Sequence, residues 1–177
     1  MGLPRTFVGF SSTDIRYYRL MQAWKEHEHI DFNFTDCQLA SEIRSEDEQY
    51  IKSKCRARIN MAGKYVLLIG ADTKSKHKYV HWEAEVAIEK GCTVIGVNLN
   101  GIRVLDLNRC PAIIRDIGAV FVPFKAKIIA HALENHVMGE KGWFYYPDSL
   151  YRSLDYRVYH NVNPITHKTD DGLRRSR

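Results

Sequence analysis

The stretch Tyr65-Val-Leu-Leu-Ile-Gly70, followed closely by Ser75-Lys-His-Lys-Tyr-Val-His-Trp-Glu-Ala-Glu-Val-Ala-Ile-Glu-Lys-Gly91, predicts a buried strand leading into a helix. The first run is almost wholly apolar, as in a central strand that is covered on both faces. Ser75 is a suitable N-cap for the helix, and Gly91 is a suitable residue to end it. We therefore expect a strand, a loop and a helix of known facing.

The apolar positions of this predicted helix define its buried face. At about 100° per residue, one stripe contains Val80, Ala84, Ala87 and Ile88. Glu83 lies at the edge of that stripe, in the first turns, where the helix dipole favours a carboxylate. Glu85 and Glu89 point to the other side. Of the three acids, only Glu83 should border buried space, and the alternative reading is that it is an ordinary solvated helix acid.

Composition and charge bound the class of protein. The chain has 177 residues, 45% hydrophobic and 27% charged, which is typical of one globular domain. The sequence has no apolar run long enough to span a bilayer, and it has no signal peptide. We therefore expect a cytoplasmic protein without a membrane partner. The net charge of +5 arises partly from three arginines near the end. Because no helix carries a basic stripe with interleaved aromatic residues, we expect no nucleic-acid partner.

The four cysteines are scattered and form no CxxC motif. Neither a metal site nor a disulfide framework is predicted from this spacing. We expect Cys55 and Cys92 to lie in the core, whereas Cys37 and Cys110 should be replaceable by serine without loss of activity.

Strand-like and helix-like segments alternate along the chain. The predicted strands cover residues 6–10, 31–35, 64–70, 92–98 and 119–123, and helices are predicted from Asp14 to about His27, over 41–58, over 75–91 and over about 125–136. This alternation predicts an α/β fold with a five-stranded parallel sheet in flavodoxin-like order 2-1-3-4-5 and helices on both faces. The domain should cover residues 1–138.

The last forty residues differ in character. Residues 139–163 are rich in tyrosine and contain Trp143-Phe-Tyr-Tyr-Pro147. We expect this aromatic extension to pack on or near its own domain, with self-association as the alternative. Residues 164–177 are polar and basic and should form a flexible tail.

In an open parallel sheet of this order, ligands bind outside the carboxyl ends of strands 1 and 3. The residues expected there are Phe10, Ser11, Ser12 and Asp14 after strand 1, Gly70, Ala71 and Asp72 after strand 3, and Tyr79 and Glu83 on the helix that follows. A phosphoacceptor receiver would need an aspartate cluster that is absent, and a Walker loop and a GxGxxG motif are absent as well. A flavin site is disfavoured because no phosphate loop rich in Ser and Thr follows strand 1.

These segments carry a family resemblance. The runs Phe7-Val-Gly-Phe-Ser11, Val66-Leu-Leu-Ile-Gly70, Tyr79-Val-His-Trp-Glu83 and Val94-Ile-Gly-Val97 resemble bacterial TIR-like domains, specifically the TIR proteins of Thoeris antiphage defence systems. The resemblance covers residues 5 to about 124. In such domains a Trp-Val-x-x-Glu motif carries the catalytic glutamate, which implies that role for Glu83. Tyr79 stands where the family usually has tryptophan, and Glu85 is the alternative assignment.

The resemblance implies cleavage of the bond between nicotinamide and ribose in NAD, which would be a substrate and not a cofactor. The ADP-ribosyl part would be released, cyclised or transferred to make a messenger for a separate effector protein. Phe10 and Tyr79 would flank a ring, while Ser11 and Asp36 would bind ribose or amide groups. The rival hypothesis is a non-catalytic module for assembly, which an exposed Trp82 and the aromatic extension would suit.

Overall fold

The computed structural model describes residues 2–27, 30–35, 48–75 and 77–157, and within them six strands form one parallel sheet. The strands are β1 (Thr6–Gly9), β2 (Phe34–Thr35), β3 (Lys64–Ile69), β4 (Thr93–Asn98), β5 (Ala119–Pro123) and β6 (Trp143–Phe144). Their order is β2-β1-β3-β4-β5-β6, and every pairing is parallel. The predicted order of the first five strands is confirmed. The predicted count of five is too low, because the aromatic extension adds β6 beside β5.

The helices are α1 (Ile15–His27), α2 (Glu48–Ile59), α3 (His77–Glu89), α4 (Ala126–Asn135) and α5 (Asp148–Ser153). The segment 41–47, where the second predicted helix was expected to begin, lies outside the described residues. Between β4 and β5 the chain forms loops and one short 3-10 turn, Ala112–Ile114. In the described part of the chain, no helix has the length and apolar character to cross a bilayer.

The helices cover both faces of the sheet. Gly9, the last residue of β1, faces Glu83 of α3. The next residue, Phe10, stacks on Tyr18 of α1 with ring centroids 5.0 Å apart. Because successive residues of a strand point to opposite faces, α3 and α1 lie on opposite sides of the sheet. A ligand site at Glu83 therefore lies on the α3 side.

The central position of β3 and β4 in the sheet explains why their sequences are apolar. Residues 65–69 of β3 and residues 94–98 of β4 are buried at every position. Helices lie above and below these strands, so neither face can carry side chains that need water. The central position predicted for β3 is confirmed by its pairing with β1 and β4.

The end of α3 is fixed by Gly91, which has a φ of 76°. The Cys92 N–H donates to the Ala87 carbonyl and the Gly91 N–H donates to the Ile88 carbonyl, both at 2.9 Å, which is the hydrogen-bond pattern of a Schellman motif. The start differs from the prediction. The Ser75 hydroxyl donates to the Asp72 carbonyl at 3.0 Å within a turn, and α3 begins two residues later.

A lysine joins α2 to α3 on their side of the sheet. The Lys90 ammonium, just beyond the end of α3, donates to the backbone carbonyls of Ile59, Asn60 and Ala62. Carbonyls at a helix C-terminus have no partner within the helix, and a cation satisfies them while complementing the helix dipole. The contact therefore ties the end of α2 to the helix that carries Glu83.

The aromatic extension packs on the sheet. Trp143 and Tyr151 are buried, and the Arg103 guanidinium pairs with Asp148 while lying 5.0 Å from the centre of the Tyr151 ring. This arrangement anchors α5 to the loop after β4. Residues 158–163 of the predicted extension and the predicted basic tail, 164–177, lie outside the described residues.

Candidate active site

Glu83 lies over the carboxyl end of β1. Its side chain is buried, with 7% exposed. A Cβ placed on Gly9 would lie 2.9 Å from Glu83 Oε2 and 2.4 Å from the hydroxyl oxygen of Tyr65. The carboxylate and the Tyr65 hydroxyl thus share the space that the missing side chain of Gly9 leaves. Among the described residues, neither a hydrogen bond nor an ion pair engages the Glu83 carboxylate.

Burial sets the charge of Glu83. Loss of solvent raises the pKa of its carboxyl from the ordinary 4.5 to about 8. The pKa of Cys55 on α2 is raised to about 12, chiefly by burial and then by the charge of Glu83. The carboxyl is therefore mainly protonated at neutral pH in the protein alone, and a cationic neighbour would favour its ionised form.

The facing predicted for α3 is confirmed. Glu85 and Glu89 are exposed. The Glu89 carboxylate forms an ion pair with Arg56 of α2, with 3.2 Å between Oε2 and Nη2. Val80, Ala84 and Ala87 are buried and Ile88 is half-buried. Glu83 is therefore the single buried acid of this helix.

The loop after β1 brings a second carboxylate to the same edge of the sheet. Asp14 is buried in the short 3-10 turn Ser12–Asp14, and its N–H donates to the Ser11 carbonyl at 2.7 Å. A Cβ on Gly70 would lie 2.1 Å from Asp14 Oδ2, so only glycine fits where the loop after β3 passes this carboxylate. Ser11 is buried and Ser12 is exposed. The structure thus joins Asp14 to Gly70, as expected from the strand order.

Hydroxyl groups connect the two loops. Ser11 and Thr13 share a hydrogen bond of 3.0 Å between their hydroxyls, and the Thr13 hydroxyl lies 3.0 Å from both carboxylate oxygens of Asp72. The Gly70 N–H donates to the Thr73 hydroxyl at 2.8 Å. The sequence placed Asp72 at this edge without a role, and it did not indicate Thr13 or Thr73 as organising residues. Their signal was polar residues directly after two adjacent strands.

The aromatic residues of the predicted site have unequal exposure. Tyr79 is 44% exposed and meets Trp82 edge-on, with ring centroids 5.7 Å apart. Phe10 is half-buried and one face of its ring is covered by Tyr18. Ala71 is exposed in the loop after β3. Asp36, the remaining predicted site residue, lies outside the described residues.

Trp82 differs from the expectation. It was expected to be exposed, but only 8% of its surface is accessible. Tyr79 packs against the indole from one turn earlier, and the Lys78 ammonium lies 5.3 Å from the ring centre. The indole therefore belongs to the buried core of the protein, although it lies away from the apolar stripe predicted for this helix.

Two residues beside Glu83 were not predicted. Tyr65 and Gly9 form the floor under its carboxylate, and both belong to central strands. A glycine within an apolar strand often marks a close approach of another group. That signal was present at Gly9, whereas Tyr65 looks like any other core residue in the sequence.

The cysteines that the structure describes are buried thiols. Cys55, Cys92 and Cys110 are free and buried in the described structure, and Cys37 lies outside it. Cys110 is fully buried, so its serine variant would perturb the core, where the sequence placed only Cys55 and Cys92. That its thiol is dispensable for activity stays a prediction. Across residues 2–27, 30–35, 48–75 and 77–157, no group of three His, Cys, Asp or Glu side chains is placed to hold a metal ion.

Comparison with protein families gives an independent assignment. The family described as "Thoeris protein ThsB, TIR-like domain" matches residues 7–103, which span β1 to β4 and include Glu83. The chain belongs to this family. Membership places this TIR-like protein in the context of Thoeris antiphage defence. No curated protein matches the chain.

Proposed function

We propose that this Thoeris TIR protein cleaves NAD and makes an ADP-ribose-derived messenger that activates a separate effector in antiphage defence. One observation carries the proposal. Glu83 is a buried carboxylate, without a described hydrogen-bond or ion-pair partner, at the edge of the sheet where open α/β folds bind ligands. Groups of this kind, with a pKa displaced by burial, are concentrated at functional sites.

The chemistry matches a single carboxylate. The nicotinamide of NAD is already cationic and leaves as a neutral molecule, so its departure needs little acid catalysis. The remaining ribose develops positive charge in the transition state, and a nearby carboxylate stabilises that charge. The effect is larger in a buried site, where the effective dielectric constant is low. The cationic ring also favours ionisation of Glu83 as the substrate binds.

The surrounding loops would bind the rest of the substrate. Ser11, Asp14 and Gly70 lie at the carboxyl ends of β1 and β3. In our proposal Phe10 and Tyr79 flank a ring. The exposed Ser12 and Ala71 form part of the rim, and Asp36 binds ribose or amide groups. NAD is a substrate in this scheme, and no cofactor is required.

Nicotinamide release tests the proposal directly. Purified wild type is incubated with NAD, with and without lysate of infected cells, and compared with Glu83→Gln. Glutamine keeps the shape but removes the charge, so turnover should fall about a hundredfold or more. Glu85→Gln and Glu89→Gln are matched controls on the exposed side of α3 and should keep near-normal turnover.

Circular dichroism of each variant separates loss of chemistry from loss of folding. If Glu83→Gln releases nicotinamide at the wild-type rate, the catalytic proposal is wrong and an assembly module becomes the better hypothesis. The burial of Trp82 removes one of the surface features on which that rival rested. Self-association of the chain and activation of a separate effector by the messenger are predictions that need experiments of their own.

A further inference from the structure

A cleft lies on the face of the sheet opposite to Glu83. It has a volume of about 780 Å³, and its walls come from α1, from the junction of β5 and α4, and from the end of the aromatic extension. Its lining includes Leu20, Trp24, Phe124, Lys125, Tyr156 and Arg157. This volume lies within the range of small-molecule sites.

The cleft has an aromatic wall. The rings of Trp24 and Phe124 have centroids 4.6 Å apart, and this contact places the start of α4 on the α1 side of the sheet. Trp24, Phe124 and Tyr156 are each half-buried, so part of each ring faces the cleft. Partly exposed aromatic rings that line a concave surface are suited to stacking against a planar ligand.

The rim of the cleft is positively charged. Lys125 and Arg157 line it and are exposed. Asp155, an acid that lines the cleft, forms an ion pair with Lys127 at 2.8 Å. The two opposite charges cancel, so Asp155 does not offset the charges of Lys125 and Arg157. The first turn of α4 carries no acidic residue, and Lys125 provides no side-chain cap for its N–H groups. The balance of charge therefore favours an anion beside the aromatic wall.

We propose that this cleft binds a phosphorylated planar ligand, namely a mononucleotide, with its base against Trp24 and Phe124 and its phosphate near Lys125 and Arg157. The two parts of such a ligand match the two parts of the cleft. Because Glu83 faces the other side of the sheet, occupation of this cleft leaves the NAD site open. The proposal does not depend on NAD cleavage by the protein.

Isothermal titration calorimetry of the full chain tests the proposal with three probes. AMP carries both a base and a phosphate, adenosine lacks the phosphate, and inorganic phosphate lacks the base. AMP should bind more tightly than either fragment, because each fragment engages one part of the cleft. If AMP does not bind at millimolar concentration, or adenosine binds as tightly as AMP, the proposal is wrong.

Charge-reversal variants locate the binding. Lys125→Glu should weaken AMP binding about tenfold or more, since it replaces attraction by repulsion at the phosphate. The variant should fold, because a carboxylate is favourable at the N-terminus of α4. Lys54→Glu makes the same charge change on α2, on the other side of the sheet, and should leave AMP binding unchanged.

Glu83→Gln separates the two sites. Binding of AMP should be the same in this variant as in the wild type, whether or not the protein cleaves NAD. If Lys125→Glu binds AMP normally while Glu83→Gln loses it, AMP occupies the proposed NAD site, and the cleft beside Trp24 and Phe124 is not a nucleotide site.

Discussion

Glu83 of α3 lies against the backbone of Gly9 in β1, so closely that a methyl group on Gly9 would be 2.9 Å from the carboxylate oxygen Oε2. The same methyl group would be 2.4 Å from the Tyr65 hydroxyl oxygen. The position of the proposed catalytic carboxylate therefore depends on the absence of a side chain from a neighbouring strand.

Gly9→Ala should reduce both activity and stability. The added methyl group must displace Glu83 or the rigid ring of Tyr65, and overpacking of this kind costs about 1–3 kcal/mol. We expect slower nicotinamide release and a lower urea midpoint. Gly63→Ala is the matched control, because a Cβ there would meet nothing within 4 Å. Equal effects of the two substitutions would show that the contact at Gly9 is unimportant.

The activity should depend on pH through Glu83. Catalysis requires the carboxylate, and the pKa of about 8 in the free protein means that this form gains population as pH rises. We expect kcat/KM to increase with pH and to level off above about 8. The rise of kcat with pH should occur at lower pH than the rise of kcat/KM, because the bound cationic substrate favours ionisation of Glu83. A flat profile of kcat/KM between pH 6 and 9 would contradict this role for Glu83.

Stability should fall with pH over a defined window. The Glu83 carboxyl ionises near 4.5 when unfolded and near 8 when folded, so the folded state holds the extra proton between these values. The free energy of unfolding therefore decreases from about pH 4.5 to about pH 8, by up to about 4 kcal/mol. Glu83→Gln should remove this decrease and be more stable than wild type at pH 8.5. Urea denaturation at several pH values measures it, and Glu85→Gln should retain the wild-type slope.

Lys90→Met should lower stability without changing the chemistry. Methionine keeps much of the apolar stem but cannot donate to the carbonyls of Ile59, Asn60 and Ala62. Their loss should cost about 1–3 kcal/mol in the free energy of unfolding, measured by urea denaturation. Lys54→Met, at an exposed position of α2, should cost much less. Because Lys90 lies beyond the end of α3, turnover measured well below the melting temperature should be normal.

Much of the fold follows from local patterns in the sequence. The apolar run in β3 predicted a central strand, and alternation of strands with helices predicted the parallel order. The stripe through Val80, Ala84 and Ala87 fixed the facing of α3 and hence singled out Glu83. These features were predictable because each depends on the periodicity of one element and on general rules for parallel sheets.

Other features depend on contacts between distant segments. β6 has two residues, too few for a periodic pattern, and it exists because Trp143 and Phe144 pair with β5. Cys110 is buried by the fold around the loop between β4 and β5, which has no helical or strand pattern. The bond between Thr13 and Asp72 joins residues 59 positions apart. Contacts between distant segments leave no local pattern in a single sequence, so they could not be predicted from it.

The sixth strand determines where the chain can be cut. The family match ends at Arg103, yet the sheet continues through β5 to Phe144, and the Arg103 side chain pairs with Asp148 beyond it. A fragment that ends at residue 103 would leave the outer edge of β4 without its neighbour. A fragment that ends at residue 138 would leave the outer edge of β5 without β6, and it would leave Arg103 without Asp148. Exposed strand edges pair with one another, so such fragments would aggregate, and an activity lost in them would be misread as evidence about catalysis.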